Sequence, residues 1–421
     1  MPPAPQTKAR RRVILLGSTG SIGVQAIEVI EHLNREHAAG RYPVHHELVG
    51  LAAGSNATTL FEQARRLDLH DLALCDERSA TDAPEGCTLR HGAGAAETLV
   101  REVDADLVIG AVVGSAGLPA TLAAIELGRD VALANKETLV AAGELVVTAA
   151  ARAGVRLLPI DSEHSAMWQS LPSSLCPPCQ LGAEVARIIV TASGGPFRTW
   201  SKDRIEQATP EEALAHPTWS MGAKITVDCA SLTNKALEVI ETRWLFGVLG
   251  DRIDVVVHPQ SIVHSFVEYA DGSVVAQLGA PDMRTPIQYA LSWPNRARGV
   301  SDKLDVLAMS QLDFEPPDLE KFPALRLAYD VIELGGAAGA VFNAANEAAV
   351  HAFLNHQIPF GKITKLSSSA LKSLIGDRRQ SPLRDLAEVV EADRTARALV
   401  EQSLPAISPI VAAPRLGVSN V

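Results

Sequence analysis

Val13-Ile14-Leu15-Leu16-Gly17-Ser18-Thr19-Gly20-Ser21-Ile22-Gly23 is the stretch that decides how this chain folds. Its four apolar residues read as a buried strand and its three glycines as a tight turn. Val24, Ile27, Val29 and Ile30 then follow at spacings suited to a helix. Strand, glycine turn and helix in that order form the context a dinucleotide fingerprint requires. Glycines let the backbone approach a pyrophosphate, whose charge a helix N-terminus favours. The spacing is GxxGxxG rather than GxGxxG, so a structural turn without ligand stays open at this point.

Working outward, residues 46–53 form a second strand ending in Gly54-Ser55-Asn56, with no acid at the tip where an NAD enzyme grips the ribose 2′-hydroxyl. That tip predicts NADPH rather than NADH, with Arg11, Arg12, Arg65 or Arg66 as candidates to meet a 2′-phosphate. Further buried strands are predicted over 104–114 and 128–134. The second ends at Asn135-Lys136-Glu137, which places these residues at the edge where doubly wound sheets bind ligands. A lysine on an ordinary helix cap is the alternative for Lys136.

The next strand, 155–160, runs into Asp161-Ser162-Glu163-His164. If the chain stays extended, Asp161 and Glu163 point to the same side and make a hard-cation site or an acid/base pair. If instead Asp161 or Ser162 caps a helix over 164–171, the carboxylates have a local role. A strand over 186–191 ends at Ala192-Ser193-Gly194-Gly195-Pro196-Phe197, a turn suited to phosphate. Thr209-Pro-Glu-Glu signals a helix start. His216-Pro-Thr-Trp219-Ser-Met221-Gly222 reads as a flap with Trp219 and Met221 at its apolar tip, or as tucked-in anchors. In the helix that follows Cys229, Asn234, Lys235 and Glu238 share one face, as a site or as an exposed ion pair. Residues 253–269 and 273–280 read as two strands joined at Asp271-Gly272, with an apolar face for the site or a dimer seam. His258 and His264 read as core histidines. Four helices over 324–334, 341–354, 361–374 and 385–404 predict a C-terminal bundle.

The expected fold class is α/β: an N-terminal Rossmann-type parallel sheet (1–161), a central α/β catalytic and dimerisation domain (162–293), a linker (294–322), a C-terminal four-helix bundle (323–405) and a disordered tail (406–421). With 421 residues, 47% hydrophobic, there is material for about three domains. A net charge of −11 argues against a nucleic-acid or anionic-membrane binder. The five cysteines, an odd number at scattered positions, suit reduced thiols in the cytoplasm, with Cys176-Pro-Pro-Cys179 as a surface turn rather than a zinc site. The uncharged window 107–125 is long enough for a bilayer, but Gly110, Gly114, Gly117 and Pro119 break it into strand, turn and helix. No membrane segment or secretory leader is expected.

GSTGSIG, ANKETLV, DSEHSA, ASGGPF, HPTWSMG, NKALE, VHPQSIVHS and GAPDMRTPI occur in this order. The chain thereby resembles the 1-deoxy-D-xylulose 5-phosphate reductoisomerase family over residues 12–405. The resemblance implies a homodimer that turns 1-deoxy-D-xylulose 5-phosphate, a small sugar phosphate, into 2-C-methyl-D-erythritol 4-phosphate with NADPH and Mg²⁺ or Mn²⁺. It implies metal ligands Asp161, Glu163 and Glu238, with Lys136 beside them as a catalytic residue. Thr19, Gly20, Ser21, Ile22, Gly54, Ser55, Asn56, Asn135, Glu137 and Gly222 are implied around the cofactor. Lys136, Ser162, Glu163, Ser193, His216, Cys229, Asn234, Lys235 and Glu238 are implied around the substrate. Cys229 departs from the family, which presents a serine hydroxyl there, and Ser55 stands where relatives often carry lysine. Two rival readings are an aldehyde dehydrogenase using Cys229 as nucleophile and a non-catalytic NADPH sensor.

Overall fold

In chain order the first half comprises β1 (Arg10–Leu16), α1 (Ser21–Ala38), β2 (His45–Ala53), α2 (Ala57–Leu67), β3 (Asp71–Leu74), β4 (Thr88–His91), α3 (Ala95–Glu102), β5 (Leu107–Gly110), α4 (Leu118–Glu126), β6 (Asp130–Leu133), α5 (Lys136–Ala153) and β7 (Leu157–Pro159). The structure, a computed structural model, describes residues 10–77, 83–215 and 221–404. The seven strands form one sheet in the order β4-β3-β2-β1-β5-β6-β7, parallel throughout. Val13 to Leu16 and Leu107 to Gly110 are buried on both faces, which is why these strands are continuous apolar runs.

Strand order reverses between β1 and β5, and at the carboxyl ends of such a pair a doubly wound sheet opens a crevice. The fingerprint glycines sit there, for different reasons. A Cβ on Gly17, whose φ is +82°, would lie 2.3 Å from the Ala111 carbonyl oxygen, and one on Gly23 would lie 2.2 Å from that of Gly17. Both glycines are demanded by strand and helix packing. Gly20 is not: the nearest neighbour of a Cβ there would be 3.5 Å away, an ordinary contact, so packing does not demand a glycine at the α1 N-terminus.

The arginines that sequence left as candidates for a 2′-phosphate lie elsewhere. Arg11 and Arg12 lie at the opposite end of β1, bonded to Asp130 and Asp104, and Arg65 and Arg66 fall in the last turn of α2, where Arg66 pairs with Glu31 at 2.6 Å. A parallel strand and the helix after it run in opposite directions. The start of the strand and the end of the helix therefore both lie away from the ligand edge.

The second half comprises α6 (Ser162–Gln169), β8 (Val185–Ala192), α7 (Lys202–Glu206), α8 (Pro210–Leu214), α9 (Ala223–Ala230), α10 (Thr233–Phe246), β9 (Ile253–Val257), β10 (Val263–Tyr269), β11 (Val274–Leu278), α11 (Arg284–Ser292), α12 (Ala324–Leu334), α13 (Ala338–Leu354), α14 (Lys362–Leu374) and α15 (Leu386–Gln402). Thr209 starts α8 with a reciprocal capping box to Glu212, as the sequence signal predicts. The second sheet has the order β11-β10-β8-β9. Residues 253–269 are thus not one strand but two, on opposite sides of β8, parallel as β9 and antiparallel as β10. Ser261, with φ of 51°, turns the chain between them. His258 holds the turn: Nε2 accepts from Ile262 N (3.2 Å), and Nδ1 donates to the Asp313 carbonyl (2.8 Å).

The linker is pinned to this sheet, Glu315 pairing with Val257. Of the C-terminal helices, α14 and α15 pack on α13, while α12 lies chiefly on α10. Helix α13 also packs on α5 and α9, so the C-terminal helices brace both halves. His216, Trp219 and the tail beyond residue 404 lie outside the described residues. Among the described residues no helix is long and apolar enough to cross a membrane.

Candidate active site

Asp161 leaves β7 and caps α6, its Oδ1 accepting from Glu163 N at 3.2 Å. The extended continuation does not occur, yet the carboxylates still converge. Ligand oxygens of Asp161, Glu163 and Glu238 all lie within 4.8 Å of one another. A helix cap and a cation site are the same feature here, because α10 brings Glu238 against the first turn of α6.

Two lysines knit the three acids together. Lys136, the first residue of α5, meets Asp161 and, at 3.1 Å, Glu238 Oε1. Lys235 meets Glu163 Oε1 at 2.6 Å and Glu238 Oε2, and Asn234 donates to Glu238 Oε1 at 2.7 Å. Asn234, Lys235 and Glu238 therefore share a helix face as their spacing predicts, but the pair is no surface decoration, since Glu238 is 1% exposed.

Burial would raise all three carboxyl pKa values. For Asp161 the charges of Lys136, His164 and Lys235 outweigh it and hold the group well below the usual carboxylate range. For Glu163, Lys235 does the same more weakly. In Glu238 burial and the Glu163 charge prevail and the pKa is raised, so it is the acid of the three most ready to hold a proton. Burial would lower Lys136, but Asp161 and Glu238 raise it well above its ordinary value. Behind the acids sit two residues that sequence reasoning missed. His164 lies 3.2 Å from Asp161 and donates through Nε2 to the Glu238 carbonyl at 3.0 Å, and Glu241 lies 3.9 Å from His164. The signal was in the spacing, His164 three residues beyond the cap Asp161 and Glu241 three beyond Glu238 on α10.

The three acids and the two lysines line a cavity of about 530 Å³, whereas His164 and Glu241 do not reach it. Ser21 and Ile22 of α1 line it too, as do Ser193 and Cys229. Ser162, Met221 and Gly222 also line it, as does His264, read from sequence as a core histidine. Thr19 and Gly20 precede the α1 wall, while Gly54 and Ser55 are exposed at the β2 tip. The Asn56 side chain caps α2, accepting from Thr59 N. Asn135 and Glu137 are buried and committed to protein partners. Asn135 caps α5 and donates to the carbonyls of Val112 and Gly114, and Glu137 pairs with Lys224 at 3.0 Å.

The donor set is oxygen only, which suits Mg²⁺ or Mn²⁺ and suits zinc poorly. Bare Gly20 at a helix N-terminus beside an uncharged β2 tip suits a phosphorylated dinucleotide. The Cys229 thiol is pushed up by burial and by the Glu238 charge, so it stays protonated and is a poor nucleophile. Burial likewise raises Cys176, and Cys179 to about 12.

Fold and site together fit a Rossmann-type oxidoreductase, with three convergent carboxylates able to hold a cation at the carboxyl edge of its parallel sheet. Three family models match: 1-deoxy-D-xylulose 5-phosphate reductoisomerase over residues 13–143, its C-terminal domain over 157–246, and the DXP reductoisomerase C-terminal domain over 278–399. The 1-deoxy-D-xylulose 5-phosphate reductoisomerase of Anaeromyxobacter dehalogenans is 48% identical over 400 residues, covering 94% of this chain and 98% of that protein. That of Rhodospirillum centenum is also 48% identical, over 94% and 95% of the two chains. The solved Zymomonas mobilis enzyme in complex with NADPH matches with TM-score 0.82 and 40% identity over 94% of this chain and 99% of that one. A DOX-P reductoisomerase in complex with NADPH, fosmidomycin and magnesium matches with TM-score 0.83 and 35% identity over 93% and 98%. The chain belongs to the 1-deoxy-D-xylulose 5-phosphate reductoisomerase family.

Proposed function

We propose that this chain is an NADPH- and divalent-metal-dependent enzyme that rearranges 1-deoxy-D-xylulose 5-phosphate by retro-aldol and aldol steps and reduces the product to 2-C-methyl-D-erythritol 4-phosphate, in isoprenoid precursor biosynthesis. The observation that carries the reading is the convergence of Asp161, Glu163 and Glu238 at the carboxyl edge of a dinucleotide-type sheet. These three would hold Mg²⁺ or Mn²⁺. When bound, the ion supplies Lewis-acid polarisation of the substrate's ketone and neighbouring hydroxyl, and NADPH supplies the hydride.

The chain's own groups do the rest. Lys136 is held charged, so it acts as a donor to developing negative charge rather than as a base. Lys235, Asn234 and Ser193 surround the place for the phosphate, with Ser193 carried on a turn whose Gly194 and Gly195 both have positive φ. Cys229 stands on the same side with a weaker donor. Ser162 contacts the substrate beside Glu163. Thr19, Gly20, Ser21, Ile22, Gly54, Ser55, Asn56 and Gly222 surround the cofactor, with Asn135 and Glu137 at its edge. His216 contacts the substrate, and Trp219 with Met221 excludes water from the reacting fragments.

The division at residues 161, 293 and 322 belongs to the same proposal, as does a homodimer formed through the second sheet. Its edge strand β11 leaves Val274, Val275 and Leu278 exposed, an apolar edge that a second copy would cover. We place the enzyme in the cytoplasm, where five unpaired cysteines are at home. The test is NADPH oxidation on adding the sugar phosphate with Mn²⁺. Turnover abolished by EDTA and restored by metal is expected. Metal-independent turnover on simple aldehydes would overturn the reading in favour of a dehydrogenase, and no turnover at all in favour of a sensor.

A further inference from the structure

The polar groups nearest the cofactor edge do not end at the cavity. Lys224 of α9 lies 3.0 Å from Glu137 Oε1 and 3.0 Å from Asp228 Oδ2, both acids being more than nine-tenths buried. Glu137 in turn accepts from Asn135 at 3.1 Å, and Asn135 holds the loop after β5 through the Val112 and Gly114 carbonyls. On the other side Asp228 Oδ1 accepts from Asn346 of α13 at 2.8 Å. One lysine thus joins the cofactor-edge loop, α5, α9 and the C-terminal helices. Helix α5 begins with Lys136, whereas α9 is capped by Gly222 and carries Cys229, all three on the cavity wall. Lys224 itself is not among the lining residues.

We propose that Lys224 is a positioning residue for the nicotinamide cofactor: shared by Glu137 and Asp228, it locks α9 to α5 and so sets the wall against which the cofactor lies. This rests on the NADPH reading above. Buried acids that share one ammonium leave α9 a single seating against the sheet edge. Losing the ammonium strands two carboxylates in an apolar setting, which α9 relieves by moving away from α5. The Asp161, Glu163 and Glu238 centre does not use Lys224, so its affinity for a cation is untouched.

The test compares Lys224→Met, Lys224→Arg and Glu137→Gln with the parent by NADPH fluorescence titration, Mn²⁺ titration followed by electron paramagnetic resonance, and thermal melts. Lys224→Met is expected to raise the NADPH Kd about tenfold, to leave Mn²⁺ affinity within about twofold, and to be largely rescued by arginine, which reaches both acids. If Lys224→Met does not fold, Glu137→Gln, which keeps the shape and one hydrogen bond, is expected to raise the NADPH Kd about threefold under the same Mn²⁺ criterion. Folded variants that bind NADPH like the parent overturn the lock. So do variants in which NADPH and Mn²⁺ affinity fall together with the melting temperature, the mark of general loosening. A parent that does not bind NADPH instead overturns the functional reading, and the lock with it.

Discussion

Replacing Glu238 with Gln removes one of the three converging charges and almost nothing of the shape. Lys136 keeps Asp161 and Lys235 keeps Glu163, so neither ammonium is stranded. The stability cost is therefore that of weakening hydrogen bonds to a charged group, about 1.5–3 kcal/mol, rather than the roughly 3–5 kcal/mol of breaking a buried pair outright. The cost for metal is larger. Changing a group that merely supports a ligand loses about 10–100-fold in affinity, so deleting a ligand charge is expected to lose at least about 100-fold, equivalent to about 2.8 kcal/mol. At a Mn²⁺ concentration about 100 times the parent Kd, the parent is stabilised by about 2.7 kcal/mol, while the variant at about its own Kd gains only about 0.4 kcal/mol. Electron paramagnetic resonance of free Mn²⁺ gives the two affinities, and denaturant melts with and without Mn²⁺ give the stabilisation. NADPH binding, measured in parallel, should hold. A Glu238→Gln protein that binds Mn²⁺ within about threefold of the parent, or gains as much stability from it, would refute the three-carboxylate centre.

Gly20→Ala should melt like the parent but raise the NADPH Kd, by about tenfold if the pyrophosphate passes close to the backbone there. Gly23→Ala, whose Cβ would meet the Gly17 carbonyl at 2.2 Å, should instead cost about 1–3 kcal/mol of stability in denaturant titrations. Cys229→Ser offers the phosphate a stronger donor, and a charge-assisted hydrogen bond is worth about 1.5–3 kcal/mol, so steady-state kinetics should show a lower KM for the sugar phosphate. An unchanged or higher KM would sink that idea. Burial, helped by Arg11, lowers His46 from 6.5 to about 3, so folding favours its neutral form. Its stability contribution is whole above pH 6.5 and is lost as pH falls toward 3, amounting to about 2.7 kcal/mol by about pH 4.5. Chemical denaturation across that range should show a shallower loss for His46→Gln than for the parent.

Much of the fold was legible because it is written in short-range pattern. The run Val13 to Leu16, the glycines after it and the helix periodicity beyond them specify dihedrals and buried faces within a few residues. The four C-terminal helices are equally local in origin. The run 253–269 was misread because β propensity does not say where a strand changes partner. The turn at Ser261 and the insertion of β8 between β9 and β10 are decided by the sheet. The candidate arginines near the fingerprint could not be placed for a related reason, since closeness in sequence puts a residue on a strand without saying which end faces the ligand.

The candidate site divides along the same line. Sequence alone determined that Asn234, Lys235 and Glu238 share a helix face, that Asp161 and Glu163 follow a strand end, and that Lys136 stands at the sheet's carboxyl edge, because each follows from the apolar pattern of a short stretch. Only the tertiary structure decided that these three local features are one cluster, that His164 and Glu241 stand behind it, and that Glu137 faces Lys224. Those meetings join residues tens of positions apart. Local dihedrals do not encode them; strand order and the packing of α5, α6, α9 and α10 do, and burial then makes the resulting charges strong.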